Sequence, residues 1–106
     1  NILLLKWVVN MAKIIKRKSD NLVIRVLADD NVINLGSDNC TWNDGETYSQ
    51  DINSSTHEIV TGVTAPTKFF SGYFTYNTDW SLDTDALNNY NTMADEVGIP
   101  RIEAEL

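Results

Sequence analysis

The stretch Gly72-Tyr73-Phe74-Thr75-Tyr76-Asn77-Thr78-Asp79-Trp80-Ser81-Leu82, running into Asp83-Thr84-Asp85, decides the fold. Tyr, Phe, Thr and Trp suit a half-buried pleated surface, and Asn77-Thr78-Asp79 interrupts them with turn residues. The pattern predicts a β-hairpin in which Tyr73, Phe74, Tyr76 and Trp80 supply much of the area available for a core. A helix follows. Asp83 or Thr84 can cap its start, and Asp85 opposes the helix dipole in the first turn. Ala86, Leu87, Tyr90, Met93, Ala94 and Val97 recur on one helical face. Gly98 supplies a left-handed stop and Pro100 prevents continuation, so the helix is expected over about residues 84–97. Leu87, Tyr90, Met93 and Val97 are expected to dock it.

Working back toward the N-terminus, short apolar runs alternate with turn clusters. Ile14–Lys18, Leu22–Leu27, Val32–Leu35 and His57–Val63 read as strands, with Pro66 ending the last. Asn43-Asp44-Gly45 provides the positive-φ positions of a tight hairpin, flanked by Trp42 and Tyr48 closely enough to pair. Ser49–Thr56 reads as a loop, and Arg101–Leu106 as a short strand or a tail. The fold class is therefore mainly β, as a β-meander, an antiparallel sheet or a small barrel, with one C-terminal α-helix. Trp42, Tyr73, Tyr76 and Trp80 are expected to build the hairpin core. A chain of 106 residues is enough for one domain with one core, assigned to residues 11–106.

Residues 1–10 are set apart as an upstream or accessory apolar segment. Ile2–Val9 is too short to span a bilayer, and a secretory signal would begin basic and then turn apolar. Two readings stay open. Lys6, Asn10, Lys13 and Arg17 make a polar stripe if residues 2–18 are helical. Alternatively Met11 is the start, and Ile14–Lys18 is a strand.

Net charge is −7, unevenly spread. Residues 1–25 carry six bases against one acid, while residues 26–106 carry two bases against fourteen acids. So acidic a body repels polyanions, which disfavours nucleic acid as a partner. A small nucleic-acid-binding barrel would have to work through Lys13, Lys16, Arg17 and Lys18. Tyr73, Tyr76 and Trp80 offer a stacking platform for bases or sugars if they are not core.

Catalytic chemistry is hard to assemble from this sequence. Cys40 is the single cysteine, which excludes an intrachain disulfide and a multi-cysteine metal site. His57 is followed by Glu58, but neighbours on a strand point to opposite faces. Asp38–Glu46 is acidic and contains Gly45, yet it misses the EF-hand spacing because Cys40 stands at the third ligand position, leaving only an irregular loop site. No glycine-rich phosphate loop is present. The expectation is a protein that is not an enzyme and takes no cofactor or metal.

One resemblance adds to this. Val63, Pro66, Phe69/Phe70, Gly72, Tyr73, Tyr76, Asn77 and Trp80-Ser81-Leu82 form a pattern within Asp51–Asp85. It resembles small uncharacterised proteins of marine tailed bacteriophages, cyanophage-like ones especially. The resemblance covers about a third of the chain and brings no catalytic residues. It implies a phage-derived structural or assembly protein acting through protein–protein contacts. Partners would be copies of itself or other phage proteins, in the host cytoplasm during assembly or in the virion. A nucleic-acid module is the alternative, and a carbohydrate-binding module the second.

Overall fold

A computed structural model describes residues 11–42, 47–49 and 51–106. Among the described residues, eight strands precede one helix: β1 (Met11–Arg17), β2 (Val23–Ala28), β3 (Asn34–Leu35), β4 (Asn39–Thr41), β5 (Thr47–Ser49), β6 (His57–Thr64), β7 (Phe74–Asn77), β8 (Asp79–Leu82) and α1 (Thr84–Val97). They form three small antiparallel sheets, ordered β2-β1-β6, β3-β4-β5 and β7-β8. The expected mainly-β class with one C-terminal helix is the fold observed. The N-terminal helical reading fails where it can be compared, because Met11–Arg17 is a strand. Residues 1–10 and the Asn43-Asp44-Gly45 turn lie outside the described residues. The strands on either side of that turn do pair, but in a register that sets Tyr48 opposite Cys40, not Trp42.

The reason β1 is a strand lies in two adjacent residues. Ile14 and Ile15 are both fully buried, and successive strand side chains point to opposite faces. Ile14 enters a cluster with Val23 and Val63, against which Phe69, Tyr76 and Trp80 pack. Ile15 enters a second cluster with Leu27, Cys40, Trp42 and Ile52. The β2-β1-β6 sheet is thus the middle layer, with the β7-β8 hairpin on one face and β3-β4-β5 on the other. Trp42 accordingly belongs to the Ile15 cluster and not to the hairpin core where the sequence reading put it. Phe74, on the hairpin, is the largest fully buried side chain among the described residues.

α1 has the expected bounds and both expected terminators. Asp83 Oδ1 accepts from the Ala86 N–H at 3.0 Å, and Gly98, at φ 78°, closes the end by donating to the Ala94 carbonyl. Its inward face differs from the expected one. Asn91 and Ala94 are its buried residues, with Leu87 and Tyr90 half-buried, whereas Met93 and Val97 are 38% and 63% exposed. The helix is rotated because its inner side is held by the C-terminal segment: Asn91 exchanges two hydrogen bonds with the Ile102 backbone. That segment is in turn clipped to the loop before β7 by the Lys68–Glu105 backbone pair.

Candidate functional site

The concave feature with the richest chemistry is a cleft of about 590 Å3 on the Ile15 face of the middle sheet. That volume is in the range of small-molecule sites, roughly 300–1,000 Å3. Strand register assembles it. Arg17 lies two residues beyond Ile15 and shares its face; His57 stands directly opposite Arg17, and Arg25 opposite Ile15. Between Ile15 and Lys16 the β1–β2 register shifts, leaving Ile24 as an extra residue without a partner across the ladder. Such a bulge re-aims side chains, and here Ile24 and Arg25 both line the cleft. Trp42 and Ile52 form the opposite wall, while Asp51, Thr56 and Ser71 complete the rim.

Electrostatics divide this cleft finely. The Arg25 guanidinium lies over the Trp42 ring, 4.9 Å from its centroid. Arg17 grips Asp20 with two hydrogen bonds of 3.0 and 2.6 Å, which with the Leu22 N–H hold the Asp20 carboxyl down to about 2. His57 is only 5% exposed. Its Nδ1 meets the Thr56 hydroxyl at 2.6 Å, and its Nε2 makes no hydrogen bond among the described residues. Burial lowers the His57 pKa first, reinforced by the Arg17 charge and opposed by Asp51 and Asp20. An Asx-type turn positions the pair: Asn53 Oδ1 accepts from the Ser55 and Thr56 N–H groups, and the Asn53 carbonyl accepts from the His57 N–H.

The basic residues singled out in the sequence have other engagements. Lys13 Nζ donates to the Asn31 carbonyl at 2.7 Å and Lys18 Nζ to the Ser54 carbonyl at 2.9 Å. Lys16 is 7% exposed, on the Ile14 face. Its ammonium donates to Asn21 Oδ1 and the Tyr76 carbonyl, both at 2.8 Å, and sits 3.3 Å from Glu58 Oε1. Only Arg17 of the four reaches the cleft. His57 and Glu58 fall on opposite faces, Glu58 meeting Lys16 across the ladder.

The aromatic trio is not coplanar. Tyr76 and Trp80 meet edge to face at 5.2 Å and 66°, and Trp80 packs edge to face on Phe74 and Phe69. Trp80 Nε1 donates to the Thr64 carbonyl at 2.8 Å. Tyr73 contacts Phe70 instead. Cys40 is fully buried in the Ile15 cluster, and burial pushes its thiol up, away from the reactive thiolate. Among the described residues there is no group of three His, Cys, Asp or Glu side chains able to hold a metal ion, and no helix long and apolar enough to cross a membrane.

No protein-family model, curated protein or solved structure matches the chain. The geometry therefore stands on its own. Sequence reading flagged Arg17 and His57 for separate reasons and missed Arg25, Trp42 and Ile52 as their companions. The bulge and the long-range β1–β6 register bring these together, and neither has a local sequence signature.

Proposed function

We propose that this chain is a non-enzymatic subunit of a tailed-phage virion or assembly intermediate, working by protein–protein contact and first of all with copies of itself. The observation that carries this reading is the outer side of α1. Met93 and Val97 are exposed one turn apart, and the apolar surface continues through Ile99 at the helix end. Asp95, Glu96 and Glu103 stand near it in the sequence, Asp95 beside Arg101 and Glu103 beside Lys68, so a partner should bring apolar contacts with basic flanks. A second copy has that chemistry in the apolar run Ile2–Val9, which carries Lys6 and is followed by the exposed Lys18. The phage assignment is supported by the resemblance across Asp51–Asp85 alone.

Light-scattering mass against concentration tests the reading. The expected result is reversible self-association that weakens with salt and disappears in Met93→Asp/Val97→Asp, with the melting temperature retained. A monomeric mass at every concentration, or association unchanged in the double variant, overturns it.

A further inference from the structure

α1 and the segment that follows it are bonded mainly to each other. Asn91 exchanges two hydrogen bonds with the Ile102 backbone, and Arg101 Nε lies 3.8 Å from Asp95 Oδ1. Beyond the capping Asp83, the hydrogen bonds and ion pairs that residues 84–106 make to the other described residues all end on Lys68. The Lys68 N–H donates to the Glu105 carbonyl at 3.0 Å, its carbonyl accepts from the Glu105 N–H at 2.8 Å, and its Nζ lies 3.2 Å from Glu103 Oε2. No side chain of residues 84–106 belongs to either core cluster. Asp83 is the covalent link: its N–H donates to the Tyr73 carbonyl, and its Oδ1 caps the helix. Lys68 and Arg101 are also the only two bases in residues 26–106, and both are committed here.

Two ways of opening this region can be compared by what each breaks. Peeling residues 99–106 away from α1 breaks the Asn91 pair, which is buried, together with all the Lys68 bonds. Moving α1 and the segment together breaks the Lys68 bonds alone. Those bonds are weak ones: a single backbone pair with a modest net contribution, and an ion pair between exposed side chains. We propose that α1 and residues 99–106 form one arm that swings from the sheets about Asp83, with Lys68 as its catch. The swing leaves both core clusters intact, which places it among the low-energy openings of the molecule. An undocked helix of 14 residues is marginal in water, so the freed arm unwinds. Open, it leaves the Lys68 N–H and carbonyl as an unpaired edge that a strand of another chain can join. How the arm is caught does not depend on what Met93 and Val97 bind on its outer side.

Amide hydrogen exchange read by NMR tests this, in dilute protein and under conditions where exchange reports the opening equilibrium. In the native chain the amides of residues 90–97 and of Ile102 should share one protection factor, lower than that of Ile14 and Ile15 in β1. Lys68→Glu sets a negative charge against Glu103 and should lower the shared protection by about fivefold. Lys68→Glu/Glu103→Lys, which reverses the pair, should restore most of it. The proposal is overturned if the α1 amides are as protected as those of β1, since the arm then opens only when the whole chain unfolds. It is also overturned if Ile102 falls below β1 while α1 does not, which means that the segment peels alone. Unchanged α1 protection in Lys68→Glu removes Lys68 as the catch. The first two comparisons need only the native chain, so they decide even if a variant fails to fold.

Discussion

Asn91 and Ile102 are joined like neighbours in a β-ladder, although one is a side chain: Asn91 Nδ2 donates to the Ile102 carbonyl at 3.1 Å and Asn91 Oδ1 accepts from the Ile102 N–H at 2.8 Å. A carboxamide has the same donor–acceptor pair as a peptide group, so it can stand in for a strand edge. Asn91→Leu would leave both backbone groups of Ile102 without partners. Denaturant unfolding should show a loss of about 1–3 kcal/mol. The Ile102 amide should lose its protection from hydrogen exchange first, before the strand amides of β1.

Lys16 and Glu58 face each other across β1 and β6, but their contributions should be unequal. Lys16→Met removes the donor for the Tyr76 carbonyl and Asn21 Oδ1 and should cost about 2 kcal/mol in urea unfolding. Glu58 is about half exposed, and Glu58→Gln leaves Lys16 two of its oxygen partners, so the cost should stay below about 1 kcal/mol. Equal effects would mean that the ion pair, not the neutral oxygens, holds Lys16.

Thr78 sits at φ 70° between the paired residues Asn77 and Asp79. A β-branched residue in this left-handed conformation costs about 1–2 kcal/mol, while glycine adopts it freely at a smaller entropic cost in the unfolded chain. Thr78→Gly should stabilise the protein by about 1 kcal/mol, seen as a raised midpoint of thermal unfolding.

His57 should make the protein acid-sensitive in a defined window. Its folded pKa lies below the ordinary value of 6.5, so the unfolded state binds the proton more readily. Stability is then fully present above 6.5 and falls as pH drops from there toward the folded pKa. Comparing thermal unfolding of wild type and His57→Gln between pH 8 and 5 isolates this slope, which should be shallower in the variant.

Met93 and Val97 should tolerate charge without loss of fold. Met93→Lys and Val97→Lys should each remain within about 0.5 kcal/mol of wild type by denaturant unfolding, because neither side chain is in the core. A loss of several kcal/mol would mean that the face is already covered.

What could be read from the sequence follows from how local each signal is. The cap at Asp83, the period through Ala94 and the stop at Gly98 all lie within the helix or beside it, and α1 has the expected bounds. Turn clusters likewise located most strands. Which side of α1 turns inward was not legible, because the tail's need for hydrogen bonds placed polar Asn91 inside and left Val97 out. The β1–β6 pairing joins residues from 40 positions apart, Arg17 and His57, to 53, Met11 and Thr64, and the bulge at Ile24 lies in the β1–β2 ladder. Arg17, Arg25 and His57 therefore become neighbours by register, which composition and spacing do not encode. His57 attracted attention beside Glu58, its neighbour in the chain, rather than beside Arg17, its neighbour in space.

Because Ile14 and Ile15 serve different layers, β1 tolerates no slippage. A slip one way would carry the Lys16 ammonium into the space lined by Cys40 and Trp42, and a slip the other way would strand Ile15 among the oxygens that now ligate that ammonium. Two isoleucines followed by a run of bases thus act as a frame-setting code, penalising a misaligned hairpin with a misplaced charge.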